Sequence, residues 1–209
     1  ENVIGLTKTT GSEFSKKLET HAKEYEIALK EGNYVREIKE DGKNKIVTTD
    51  DGKSYSTKTV ILATGAKWRE LNVPGEQDYK GKGVHYCATC DGPFYKNLDV
   101  AIIGGGNSGV EAALDMAGIA KSVTLVEFMP DLKADKILQE KLTERENITV
   151  ITNAQVTEVY GETFTTGLKY KERSTEEMKD LKIDGMCIEI GLVPNTEFIK
   201  GYVETTKFG

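Results

Sequence analysis

Val100-Ala101-Ile102-Ile103-Gly104-Gly105-Gly106-Asn107-Ser108-Gly109 is the stretch that decides the fold. Four apolar residues in a row read as a strand buried on both faces. The glycines then turn that strand into a helix. Gly104 permits the tight turn, Gly106 lets backbone approach a pyrophosphate, and Gly109 allows close packing of helix on strand. With Gly105, Asn107 and Ser108 they form a loop whose helix offers free N–H groups and a positive dipole end to phosphate. The glycine spacing is weak alone; the strand before it and the helix after it supply the context it needs. Glu127 ends the next strand, 23 residues after Gly104. A carboxylate there accepts from a ribose 2′-hydroxyl and repels a 2′-phosphate. Phe128-Met129-Pro130-Asp131 follows without an arginine, so NADH is expected over NADPH. The bland alternative is a glycine-rich turn with no ligand.

Ten residues upstream of this strand stands Cys87-Ala88-Thr89-Cys90. Such a pair holds zinc, forms an inert disulfide, or cycles between dithiol and disulfide. Tetrahedral zinc needs two further ligands, and only Cys187, His21 and His85 are on offer, so no metal is expected. Cycling is favoured because this spacing lowers a thiol pKa and the thiolate is the nucleophile. Asp91 follows directly and suits proton transfer during exchange, or is simply a turn residue. A dithiol beside a dinucleotide loop points to electrons moving from a nicotinamide to a disulfide.

The bulk of the chain agrees with an enzyme of this kind. Its 209 residues suffice for one large domain or two small ones. A net charge of −6 without a basic run disfavours nucleic acid and anionic membrane as partners. No apolar run reaches membrane-spanning length, and three cysteines fit a reducing compartment, which makes the cytoplasm the expected location.

Alternating patterns predict a helix over 12–24 and a strand over 34–38. A hairpin is predicted from 45–49 and 53–57 around Asp50-Asp51-Gly52, and a buried strand at Val60-Ile61-Leu62-Ala63 before Thr64-Gly65. Pro74-Gly75 reads as a linker. Beyond it the expected order is strand 100–103, helix 107–117, strand 122–126, helix 134–142, strands 148–152, 155–160 and 164–170, and a last buried strand 186–190. That alternation predicts an α/β layer with a parallel sheet. Cys187 and Trp68 read as packing residues, and His21 as structural.

Further motifs recur along nearly the whole chain: Ala63-Thr64-Gly65-Ala66-Lys67-Trp68-Arg69, Val73-Pro74-Gly75-Glu76, Cys90-Asp91-Gly92-Pro93, Lys133-Ala134-Asp135, Asn153-Ala154-Gln155 and Gly191-Leu192-Val193-Pro194-Asn195-Thr196. With the loop and dithiol, they resemble the low-molecular-weight thioredoxin reductase family, and within it the branch of alkyl hydroperoxide reductase flavoprotein subunits. Cys87-Ala88-Thr89-Cys90 is closer to the thioredoxin reductases, whereas Glu127-Phe128 is closer to the peroxide-linked branch. The resemblance implies a two-dinucleotide-binding flavoprotein fold: a Rossmann-like NAD-binding domain over 73–191 carrying the dithiol, part of an FAD-binding domain over 1–72, and a return segment over 192–209. It implies FAD as intermediate carrier, Cys90 facing the flavin, Cys87 as interchange thiol and Asp91 as the acid. Thr64, Gly65 and Gly191 fall where the chain passes the cofactors. It also implies a homodimer and a peroxiredoxin or thioredoxin-like domain as electron acceptor.

Two departures qualify that expectation. No glycine-rich loop precedes Gly104, and the chain stops at Phe208-Gly209 before the family's C-terminal Gly-Asp motif. The expectation is a middle portion of a longer protein that holds FAD poorly. Three functions follow: an NADH-dependent, flavin-linked reductase serving a peroxiredoxin, a thioredoxin reductase, or a module that only binds NAD(H).

Overall fold

The apolar run and its glycine loop sit at the centre of a parallel sheet. The computed structural model describes residues 3–207 and Gly209; Phe208 of the expected chain stop lies outside the described residues. The chain divides into two compact units, Glu1–Leu62 with Phe198–Glu204, and Ala63–Glu197 with Thr205–Gly209.

In the first unit, α1 spans Gly11–Lys23. Thr10 begins it with a reciprocal cap: its hydroxyl accepts from the Glu13 N–H, and the Glu13 carboxylate accepts from the Thr10 N–H. The strands β1 (Val35–Asp41), β2 (Asn44–Thr49) and β3 (Ser54–Thr57) form an antiparallel sheet in that order. Asp51 shapes the β2–β3 turn by accepting from the Thr49 hydroxyl and the Lys53 N–H. The predicted helix and hairpin are therefore present. None of α1 is buried, however, and Leu18 and Tyr25 stay exposed. The sheet of this unit buries one large apolar side chain, Ile38, which is too little to cover a helix. The strand expected at Val60–Ala63 does not form; Ile61 is exposed. No strand pairs with this run among the described residues, and an apolar run becomes a strand only where a ladder accepts it.

The second unit opens with β4 (Ala66–Trp68), β5 (Val84–His85), α2 (Ala88–Asp91) and a 3-10 turn over Gly92–Tyr95. Then come β6 (Asp99–Ile103), α3 (Asn107–Ala117), β7 (Ser122–Val126), α4 (Lys136–Thr143) and β8 (Ile148–Ile151). An antiparallel meander follows, β9 (Ala154–Gly161), β10 (Thr165–Glu172) and β11 (Met178–Lys182), before β12 (Gly185–Ile188) and β13 (Leu192–Pro194). The main sheet is wholly parallel, in the order β5-β12-β6-β7-β8, and β13 pairs with β4 as a separate ribbon.

Side chains alternate across a strand, and β6 feeds two cores in turn. Val100 and Ile102 pack with Val110, Ala113 and Met116 of α3, while Ala101 and Ile103 pack with Val156, Val159 and Leu168 of the meander. Covering both faces is what a continuous apolar strand requires. Pro74-Gly75 is no free linker: the Pro74 carbonyl accepts from the Val159 N–H, and Val73 packs on the meander-side core.

Glu76, in the turn after Pro74-Gly75, has no exposed surface. Its carboxylate accepts from the N–H groups of Leu71 and Asn72 and from the Tyr86 hydroxyl. Removing a buried acceptor strands each of its donors. Glu76→Ala is expected to lower stability by about 3 kcal/mol and Glu76→Gln by about half of that, read by urea unfolding with Trp68, which stacks on Tyr86, as the probe.

Candidate dinucleotide and dithiol site

In a parallel sheet all strand C-termini open on one edge, which is where open α/β sheets bind ligands. Here β6 runs into Gly104, β7 into Glu127, β12 into Glu189–Gly191, and β5 into Tyr86-Cys87. The first three of these endings line one cavity of about 740 Å³, together with Gly105, Gly106, Asn107, Ser108 and Phe128.

The loop's glycines are needed where the chain is tightest. Gly104 has φ +119°, and a Cβ there would stand 2.4 Å from the Glu189 carbonyl oxygen. A Cβ on Gly109 would stand 1.8 Å from the Gly104 carbonyl oxygen. Beside Gly106 there is open space within 4 Å, and no side chain caps the N-terminus of α3. Uncapped N–H groups beside open space on the wall of a cavity fit a pyrophosphate. Asn107 does not face outward alone: it exchanges two hydrogen bonds with Asp135.

Glu127 lines the cavity but is itself buried. One carboxylate oxygen accepts from the Gly105 N–H at 2.5 Å and the other from the Met129 N–H at 2.7 Å. A carboxylate offers about four lone-pair sites, so acceptor capacity remains for a ribose. Phe128 is half-exposed, and the Arg173 guanidinium stacks on its ring at 3.8 Å while donating to its carbonyl oxygen. The sequence has no arginine directly after Glu127, but the end of β10 brings one from 45 residues away.

Cys87 and Cys90 form a disulfide, with Cys90 exposed and Cys87 half-buried at the start of α2. Asp91 Oδ2 lies 3.1 Å from His85 Nδ1, and His85 Nε2 lies 2.7 Å from the Tyr95 hydroxyl. His85 was visible in the sequence only as a spare metal ligand. Its signal was parity: two residues before Cys87 on an extended segment, it shares a face with that cysteine.

Glu189 was also missed. It lines the cavity, accepts from the Ala88 N–H between the two cysteines, and takes a contact from the Cys187 thiol at 3.4 Å. Burial pushes its carboxyl upward, and burial pushes the Cys187 thiol well up. Cys187 is thus a buried, protonated packing residue, as expected. Trp68 departs from expectation, half-exposed with its ring against Tyr86. Thr64 and Gly65 are exposed, and Asn195 donates to both of their carbonyls. Gly191 lines the cavity with φ +97°. His21 lies on α1 beside Tyr25.

The profile of the pyridine nucleotide-disulphide oxidoreductases matches residues 2–209. The chain belongs to that family. It is 48% identical over its full length to the F component of alkyl hydroperoxide reductase from Staphylococcus aureus (strain MRSA252), of which it spans 41%, and 46% identical to a NADH dehydrogenase of Bacillus subtilis (strain 168), again spanning 41%. The chain therefore spans about two fifths of the curated relatives it matches. Among solved structures, T. acidophilum thioredoxin reductase superposes with a TM-score of 0.75 at 41% identity, covering 100% of this chain and 68% of that one. Lactococcus lactis thioredoxin reductase gives 0.78 at 34% identity, covering 100% and 69%. The expected α/β, Rossmann-like flavoprotein fold is the one this chain shares with them. No helix among its described residues is long and apolar enough to cross a membrane.

Because the Gly109 Cβ position is occupied by backbone, Gly109→Ala must push α3 away from β6. The expected result is a loss of affinity for a nicotinamide dinucleotide of tenfold or more with a drop in melting temperature, measured by fluorescence titration and thermal unfolding.

Proposed function

We propose that this chain carries the nicotinamide site and the exchange dithiol of an FAD-linked NADH:disulfide oxidoreductase, of the kind found in the flavoprotein component of alkyl hydroperoxide reductase. The observation that carries this reading is that cavity and dithiol open on the same sheet edge, with β12 between them and Glu189 both lining the cavity and accepting from the Ala88 N–H between the two cysteines. Residues 73–191 would be the NAD domain, 1–72 part of an FAD domain, and 192–209 the segment returning to it.

NADH fits the residues present. Gly104–Gly109 would take the pyrophosphate and Glu127 the adenosine ribose, with Gly191 and Phe128 walling the site. The NADH dehydrogenase relatives support NADH over NADPH. FAD does not fit these residues by themselves: the Thr64 and Gly65 carbonyls are engaged by Asn195, and the described residues hold no second glycine-rich turn from strand to helix. A bound flavin would supply two-electron transfer between a nicotinamide and the dithiol, while this chain's own residues would supply the nucleotide site at Gly104–Gly109 and Glu127 and the exchange sulfurs of Cys87 and Cys90.

The steps made by this chain's own residues balance without a metal. Two electrons and two protons break the Cys87–Cys90 bond and leave two thiols. The Cys87 thiolate attacks an acceptor disulfide and displaces one acceptor sulfur. Cys90 then closes on Cys87, releasing the second acceptor sulfur, and Asp91 moves the protons between sulfur and solvent. The proposed acceptor is a peroxiredoxin or a thioredoxin-like domain, in a cytoplasmic homodimer. Thioredoxin reductase is the second reading, favoured by Ala88-Thr89 between the cysteines and by the two superposed reductases. A chain that only binds NAD(H) is the third, favoured by the lack of fit to FAD.

Cys87→Ser is expected to abolish acceptor-disulfide reduction and to leave the NADH dissociation constant unchanged. A loss of NADH affinity would refute the assigned role. Glu127→Gln replaces a charged acceptor by a neutral one, a difference of about 1.4 kcal/mol; it is expected to weaken NADH about tenfold in a binding titration and NADPH less. Equal weakening of both would place ribose recognition elsewhere.

A further inference from the structure

Three groups form a chain leading away from the disulfide: Asp91, His85 and Tyr95. Asp91 Oδ2 lies 3.1 Å from His85 Nδ1, and the Tyr95 hydroxyl lies 2.7 Å from His85 Nε2 with the two rings edge to face. The His85 side chain is largely buried, and the Asp91 side chain is about one-third exposed. We propose that His85, fixed by Tyr95, is a positioning residue that holds the Asp91 carboxylate beside the dithiol and offsets its charge when protonated. The proposal rests on the reading of Cys87–Cys90 as an exchange dithiol.

Neighbouring elements close around His85 on its other sides. From the 3-10 turn, Tyr95 faces it; burial and the Asp91 carboxylate push that phenol up to about 12, with Asp184 adding to the shift. From β12 comes Cys187, whose thiol is pushed well up by burial, with Glu189 beyond it raised by burial. The rest of the pocket that His85 and Cys87 share is apolar, with Val100, Ala101 and Ile102 from β6, Met116 from α3 and Met186 from β12. Tyr95 and Cys187 thus keep their protons through the neutral range, which leaves the imidazole of His85 as the cation-forming group facing Asp91 in this pocket. An Asp91 carboxylate opposed by neutral imidazole disfavours a nearby thiolate. The same carboxylate paired with imidazolium does not.

The test needs neither flavin nor nicotinamide. The protein is reduced with dithiothreitol, freed of reductant, and labelled with iodoacetamide from pH 5 to 9, with rates at Cys87 and Cys90 read by mass spectrometry. His85→Ala and His85→Asn are compared with the unaltered protein; the asparagine keeps a donor toward Asp91 but does not titrate. In both variants the labelling rate of at least one of these cysteines below pH 6.5 is expected to fall at least threefold, with rates above pH 8 unchanged. A smaller change, or an equal change at every pH, overturns the proposal, since a purely structural histidine gives one or the other. Tyr95→Phe, which leaves the ring in place, is expected to give a partial loss in the same acid range, and no loss there overturns the part assigned to Tyr95. Should acceptor reduction by NADH fail while the acid-range loss is seen, the functional reading falls and this one stands; the opposite pair of results separates them the other way.

Discussion

The parallel pairing of β12 between β5 and β6 is the constraint on which the rest depends. Its register sets Cys187 against His85 on one side and against Ile102 on the other. That single alignment brings the ends of β5, β12 and β6 to one edge, although they come from distant parts of the chain. The dithiol leaves β5 two residues after His85, the glycine loop leaves β6 at Gly104, and Glu189 leaves β12 between them. A slip of one residue would turn the β12 side chains to the opposite faces, exchanging Cys187 and Ile188 between two cores of different composition. Packing on both faces therefore fixes the register, and the register fixes the site.

The glycine loop is held by backbone and carboxylate more than by side-chain packing. The Gly105 carbonyl accepts from the N–H groups of Lys133 and Ala134, and the Gly105 N–H goes to Glu127. Asn107 and Asp135 tie α3 to the start of α4. The loop's polar backbone is thus satisfied at its flanks, while the N-terminus of α3 carries no side-chain cap. Donors left in this state bind an anion with little reorganisation, and the cost of shaping the loop is met in folding rather than in binding.

Elements with strong periodicity and clear boundaries were legible in the sequence. Residues 107–117 and 122–126 form the predicted helix and strand end to end, because glycine, the apolar run and helical spacing all agreed there. The meander was partly legible: β9 and β10 were expected, while β11 was not, since Met178-Lys179-Asp180-Leu181-Lys182 carries charges that a strand tolerates only with an exposed face. Val60–Ala63 failed for the opposite reason, a strong apolar pattern with no ladder to join. In the site, the cysteines, glycines and Glu127 were visible through local spacing. His85, Glu189 and Arg173 were not, because each meets its partner through tertiary contact: His85 through the turn at Tyr95, Glu189 through β12, and Arg173 through the end of β10.

The two carboxyl groups flanking the dithiol are held in different ways, and the difference has a sign. Asp91 is partly solvated, with Oδ2 3.1 Å from His85 Nδ1. Glu189 lies deeper, receives the Ala88 N–H and the Cys187 thiol, and has its carboxyl raised by burial despite both hydrogen bonds. A carboxyl that is raised on folding binds its proton more tightly in the native state than in the unfolded chain. Its contribution to stability is therefore greatest in acid and declines as pH climbs from the ordinary glutamate range, about 4.3, through the raised native value. Desolvation of Glu189 thus opposes the usual gain in stability toward neutral pH, and it does so at the residue that joins the nucleotide cavity to the dithiol.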